Sequence, residues 1–344
     1  MRGLNHLRTI AALVLAVVII TFTFAWVQVQ GFLSTPVTVA ESGTTFDIRP
    51  GTSFGQVSSQ LEQAGMIESA DLLRWYARWT GTAGSIQAGE YRIEAGTTPV
   101  ALLQQFTSGN VQLYSFAIIE GWNYRELLKA LQAHPQVTAE MTDEDWPALL
   151  SQLGANTRMP EGLFLPETYR FPKGSSDRAL LAQAYEHMQV ALQEEWAGRD
   201  TASEVSTPYE ALVLASIVEK ETARVDEREK IAGVFSRRLE KRMRLQTDPT
   251  VIYGIGPDFN GNLTRQDLRT DTPYNTYTRH GLPPTPIAMP GRAAIRAALH
   301  PAAGDELFFV ATGLGDGSHK FSKTKDEHDA AVREYLQRLR EQRR

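Results

Sequence analysis

The chain has 344 residues, of which 42% are hydrophobic and 22% charged, and a formal net charge of −5. That length accommodates two domains and a sizeable core, and the acidic balance argues against nucleic acid as a partner held by general charge attraction. Cysteine is absent, which removes disulfides, cysteine-based zinc sites and thiol catalysis together.

The N-terminus carries the first strong signal. Residues 10–27, IAALVLAVVIITFTFAWV, hold no charge, and the uncharged region extends from Thr9 to Ala40. About 20 apolar residues span a bilayer core. Arg2 and Arg8 precede the run and the first charge after it is Glu41. The positive-inside rule therefore predicts a cytoplasmic N-terminus, with the rest of the chain on the outer side of the cell inner (plasma) membrane, periplasmic or extracytoplasmic. No small-x-small cleavage site follows the run directly, so an uncleaved single-pass anchor over residues 1–30 is expected rather than a signal peptide. Residues 31–43 read as a linker.

Beyond the linker, Phe46 and Ile48 alternate with polar residues as in a short strand, and Pro50-Gly51 marks a turn. Ser53 to Ala64 is amphipathic and closes at Gly65, and a second helix begins at a Ser69 cap. GEYRI, residues 89–93, reads as another strand and TPVALLQQFTSG as another helix. Residues 44–110 thus form a small α+β unit. Residues 111–344 form a larger mixed part that restarts with strand character in VQLYSFAIIEGW. EGLFLPETYRFP, residues 161–172, is dense in aromatics and prolines and reads as a packed loop, before the long amphipathic helix of SDRALLAQAYEHMQVALQEEW.

Thr207-Pro208-Tyr209-Glu210 is a helix start with a capping residue, a proline at the first helical position and a capping-box glutamate. The helix that follows is apolar on every side, as buried helices are, yet it runs into two carboxylates in LASIVEKET, Glu219 and Glu221. Glu219 falls beside Leu212, Ala215 and Ser216 by helical spacing, two of them small enough to leave room for a substrate. Burial and the negative end of the helix dipole would both raise its pKa and keep it protonated near neutral pH. A general acid needs that state. Glu221 lies about 200° round the wheel and faces elsewhere. Solvent-frayed acids at a helix end are the competing reading.

The next helix, DEREKIAGVFSRRLEKRM, pairs an apolar stripe (Ile231, Val234, Phe235, Leu239) with a basic half. Its Arg237, Arg238, Lys241, Arg242 and Arg244 read as a solvated face. Asp248-Pro249 predicts a turn. TPYNTYTRHGLPPTPIAMPG, residues 272–291, is a long irregular segment of the kind that carries function. Its Tyr274, Asn275, Thr276 and Tyr277 offer ring faces and polar edges together, a mixture suited to sugars.

LASIVEKET, RLQTDPTVIYG, YNTY with GLPPTPI, and EGLFLPETY together resemble the YceG-like family of endolytic murein transglycosylases. FDIRPG and GEYRI resemble that family's small LysM-like subdomain. The resemblance covers nearly the whole chain after the anchor and departs from it at Met289, where many relatives carry Asn. It implies an α+β fold with a YceG-like catalytic domain over 111–344. It also implies non-hydrolytic cleavage of the MurNAc–GlcNAc bond of peptidoglycan glycan strands to leave anhydromuramoyl ends. Glu219 would act as acid and then base. Gln246, Thr247, Asp248, Tyr253, Tyr274, Asn275 and Tyr277 would line the glycan cleft. No cofactor or metal is implied, and a membrane-tethered active site would work beside the peptidoglycan synthases.

Three alternatives stay open at this stage. Asp248 or Glu221 could serve as a second carboxylate, which would make the enzyme a muramidase-type hydrolase. A non-catalytic wall-binding scaffold would keep the anchor and the LysM-like unit but be indifferent to Glu219. A metal peptidase is disfavoured because none of the seven histidines forms an HExxH-type pair, and His319 and His328 read as structural or surface residues.

Overall fold

The computed structural model describes residues 2–200 and 203–342. They divide into two compact units, Met1–Tyr114 with Phe171–Lys173, and Ser115–Arg170 with Gly174–Arg344.

The first unit begins with helix α1 (Arg2–Ser34). Its stretch Ile10–Ser34 is long and apolar enough to cross a membrane, and its side chains from Ile10 to Val27 are exposed. The helix continues past the point where a linker was expected. Phe32, Leu33 and Val37 are buried in the same cluster as Phe46, Leu61, Tyr91 and Phe106, so part of segment 31–43 is a packed piece of this unit. Burial of each such side chain contributes roughly 1.5–3 kcal/mol. After α1 the order is β1 (Thr44–Ile48), α2 (Phe54–Gln63), α3 (Ala70–Trp79), β2 (Gly89–Ile93) and α4 (Pro99–Ser108). β1 and β2 pair antiparallel with Phe46 opposite Tyr91. Ser53 and Gln56 form a reciprocal capping box on α2, and Ser69 caps α3 as predicted. The Tyr91 ring meets Phe106 edge-on at 4.8 Å, and its hydroxyl donates to the Gln87 carbonyl at 2.8 Å.

Strand β3 (Leu113–Ala117) leads onward to α5 (Tyr124–Ala133), α6 (Trp146–Gln152), β4 (Thr168–Pro172) and α7 (Asp177–Ala197). β3 and β4 form a second two-stranded sheet. The segment expected to be all loop therefore ends in a strand. Tyr169 and Phe171 are buried while their neighbours are exposed, a period of two that the prolines on either side obscure.

The second unit is built around α8 (Pro208–Glu221), buried without interruption from Ala211 to Val218. Thr207 accepts from the Glu210 N–H as predicted, but the Glu210 carboxylate returns to the N–H of Ser206, one residue before the cap. Helix α9 (Val225–Glu240), α10 (Asp248–Ile255), α7 and α11 (Arg292–Leu299) pack on α8. Asp248-Pro249, expected to be a turn, is the first turn of α10, with proline at the position that tolerates the missing N–H. An antiparallel hairpin, β5 (Phe308–Ala311) and β6 (His319–Ser322), and α12 (Lys325–Gln342) complete the unit.

Candidate active site

Two acids leave the end of α8 in different directions. Glu219 turns towards α9 and the start of α11. Its Oε1 accepts from Arg228 Nη2 at 2.8 Å and its Oε2 from the Gly291 N–H at 3.0 Å. The same Nη2 reaches Glu120 Oε2 at 3.1 Å. Arg228 is buried, and the Glu219 side chain is only 5% exposed. Burial raises the Glu219 pKa and the neighbouring Glu120 adds to that. The Gly291 N–H and Arg228 oppose it. The room that Ala215 and Ser216 were expected to leave for a substrate is filled. Ser216 Oγ accepts from the Ile287 N–H at 3.0 Å, and Gly291 stands against the carboxylate. A Cβ at position 291 would fall 1.9 Å from Glu120 Oε1, so a larger residue here would displace the Glu120 side chain.

Glu221 turns the other way, into a cavity of about 460 Å³ lined also by Arg238, Gln246, Thr247, Asp248 and Tyr277. Phe308, Phe309 and Val310 of β5 and Lys325 and His328 of α12 close its far side. Thr247 Oγ1 donates to Glu221 Oε1. Burial raises the Glu221 pKa and nearby Asp248 pushes the same way. The Thr247 hydroxyl, His319 and Arg238 oppose it. Tyr277 donates its hydroxyl proton to Asp248 Oδ1 at 2.5 Å. Gln246 is exposed at this cavity with φ 51°, a left-handed backbone that a side-chain-bearing residue adopts at a cost.

The residues proposed from sequence thus separate. Gln246, Thr247, Asp248 and Tyr277 gather round Glu221. Tyr253 and Tyr274 meet edge-on at 4.9 Å in another place, where Tyr274 shares a hydrogen bond of 2.9 Å with Thr285. Close to Tyr253 lies Glu161, fully buried, with its Oε1 lacking a hydrogen bond of normal geometry. Burial pushes its pKa up to about 8, against the Tyr253 hydroxyl and the Tyr124 N–H. Asn275 is buried. Its amide nitrogen faces the carbonyls of Asp267, Leu268 and Thr270, and its oxygen accepts from the Tyr277 N–H. It holds the loop that presents Tyr277. Met289 is buried, and its backbone exchanges hydrogen bonds with Gly121 and Trp122.

Two arginines expected on a solvated face are engaged with backbone carbonyls, and one of them, Arg238, belongs to the site. Arg238 is buried, donating to the carbonyls of Leu307 and Leu245 while facing Glu221. Arg237 donates to Glu306 and Ala302 carbonyls. The signal was present in the spacing. Arg238 stands three, four and seven residues after Phe235, Val234 and Ile231, and Arg228 three and seven before Ile231 and Phe235, on the buried stripe of α9. Among the histidines, His319 pairs with Glu227 at 2.7 Å and His328 stacks on Phe308. Among the described residues no group of three or more histidines and acids is arranged to hold a metal ion.

The YceG-like family profile matches residues 46–334. The chain is 32% identical over 315 residues to a protein of Bacillus subtilis named endolytic murein transglycosylase, covering 86% of each. It is 27% identical over 325 residues to a protein of that name from Streptococcus pneumoniae, covering 85% of this chain and 58% of the relative. A crystal structure of a YceG-like protein from Listeria monocytogenes superposes with a TM-score of 0.54 at 27% identity, covering 85% of this chain and 99% of that one. This chain belongs to the YceG-like family.

Proposed function

We propose that the protein is a membrane-anchored lytic transglycosylase acting on peptidoglycan glycan strands, and that Glu221 is its acid and base. The relatives' names support the general activity. One observation carries the residue assignment: Glu221 opens on a polar cavity, whereas both Glu219 oxygens are held by Arg228 and Gly291.

The chemistry follows from the surroundings. A neutral carboxyl group on Glu221 donates its proton to the glycosidic oxygen as the bond to the anomeric carbon breaks. The resulting carboxylate then takes the proton of the muramoyl hydroxymethyl group, whose oxygen closes on the anomeric carbon. The nucleophile is part of the substrate, so little entropy is lost in bringing it in. A buried acid with a raised pKa suits the first step, and Arg238 and the Thr247 hydroxyl stabilise the carboxylate of the second. Tyr277 and Asp248 supply an edge for sugar hydroxyls. The choice of Glu219 made from sequence keeps one supporting observation, a raised pKa at a dry site beside a second carboxylate. Asp248 at the same cavity is the feature that favours hydrolysis.

Residues 44–110 are further proposed to be a LysM-like glycan-binding subdomain, supported by the order β1-α2-α3-β2 with its strands paired antiparallel. The anchor α1 is proposed to cross the inner membrane once with its N-terminus in the cytoplasm, which would keep the enzyme near peptidoglycan synthases. The test is mass spectrometry of purified peptidoglycan digested by the protein and by Glu221→Gln. Anhydromuramoyl ends from the unaltered protein alone support the proposal. Reducing ends would mean a hydrolase, and no cleavage by either folded protein would favour a scaffold.

A further inference from the structure

A second cavity in the same unit, about 570 Å³, flanks the same two helix ends. Lys220 lines it, next in sequence to Glu221. Pro249 lines it too, next to Asp248 of the first cavity. A ligand running past the last turn of α8 and the first turn of α10 would meet both. The second cavity has a different chemistry. Its floor is apolar, from Pro249, Ile252 and Tyr253, and its rim carries three cations, Arg125, Lys129 and Lys220. The one acid at the rim, Glu126, is already engaged, accepting from the Asn123 N–H at 2.8 Å as half of a capping box. Lys220 gives one of its three protons to the Gly121 carbonyl at 3.1 Å, and Arg125 lies over the Tyr124 ring at 4.6 Å. The rim therefore has positive charge that the cavity's own residues do not neutralise.

Resting on the reading of the substrate as peptidoglycan glycan, we propose that this cavity binds the stem peptide of a muramoyl residue. Such a peptide hangs from the sugar through a lactyl group. It carries free carboxylates beside the small apolar methyl groups of its alanines, so it matches a cationic rim over an apolar floor. The cavity would then make the enzyme selective for strands that still carry their peptides, while the Glu221 cavity holds the sugars.

The test uses fluorescence anisotropy of labelled glycan strands bound to the full chain carrying Glu221→Gln. One strand preparation bears its stem peptides and the other has been stripped by an amidase. The expected result is about tenfold tighter binding of the peptide-bearing strands at low salt, with the preference shrinking as ionic strength rises. Adding Arg125→Glu and Lys129→Glu, both exposed positions, removes the preference and leaves the stripped strands bound as before. Neutral Gln at both positions gives an intermediate result. Equal binding of the two preparations, equal loss on both, or no binding to either overturns the proposal. If the unaltered protein cleaves neither preparation while the peptide preference persists, the reading of the reaction falls and the binding site stands.

Discussion

Glu219 and Glu221 leave the same buried helix two residues apart, yet they meet different partners. At Glu219 the protein completes the carboxylate itself with a buried guanidinium, a backbone N–H and a neighbouring acid. At Glu221 it supplies the Thr247 hydroxyl, with Arg238 and His319 nearby, and the acid also lines a cavity. Both acids are pushed towards the neutral form by burial. On the assignment proposed above, a raised pKa does not distinguish a working acid from a structural one. What distinguishes them is whether a foreign oxygen can come within hydrogen-bonding reach.

The largest effect that would sharpen this contrast is on stability. Glu219→Ala leaves Arg228 buried with only the half-exposed Glu120, and breaking a buried pair costs about 3–5 kcal/mol. Chemical denaturation should show a loss of that order, with the midpoint lowered. Loss of activity without loss of stability would contradict a structural role for this pair.

Glu161, a fully buried acid elsewhere in the same unit, extends the comparison to pH. Its pKa is about 8 in the fold against roughly 4.3 in an unfolded chain. Between those values the folded state holds a proton that the unfolded state has lost, so stability falls as pH rises, by at most about 1.4 kcal/mol per pH unit. Stability from this group is fully present below about pH 4 and gone above about pH 8. Glu161→Gln should flatten that slope when melting is followed from pH 5 to pH 8.5. An unchanged slope would show that the acid is ionised in the fold.

Tyr277→Phe removes one hydrogen bond from Asp248 at the Glu221 cavity, worth about 0.5–1.5 kcal/mol. Its effect should appear as a change of several-fold in KM with folding intact. The smallest effect belongs to Gln246. Gly in its left-handed backbone relieves about 1 kcal/mol of strain, so Gln246→Gly should melt slightly higher while cleaving more slowly. A gain in both would remove Gln246 from the site.

The frame of this contrast was legible in the chain. Thr207-Pro208 and an unbroken apolar run define α8, and an offset of about 200° between Glu219 and Glu221 follows from helical geometry alone. The partners were less legible. Gly291, Thr247 and Glu120 come from distant segments, and no local pattern says which of them meets which acid. Arg228 and Arg238 were readable as cations on an apolar stripe, but a count of basic residues hides that register. Strand β4 was masked by flanking prolines, and Asp248-Pro249 carries the chemistry of both a turn and a helix start. β5 and α12, which close the Glu221 cavity, have little pattern that ties them to residues some ninety positions earlier.

The most direct measurement is the rate of strand cleavage by Glu219→Gln and Glu221→Gln, compared at equal concentrations of folded protein. A loss of about 10²–10⁴-fold is expected for Glu221→Gln, with only a modest loss for Glu219→Gln once folding is matched. The reverse order, with Glu221→Gln active and Glu219→Gln silent, would contradict the Glu221 assignment and return the acid to Glu219.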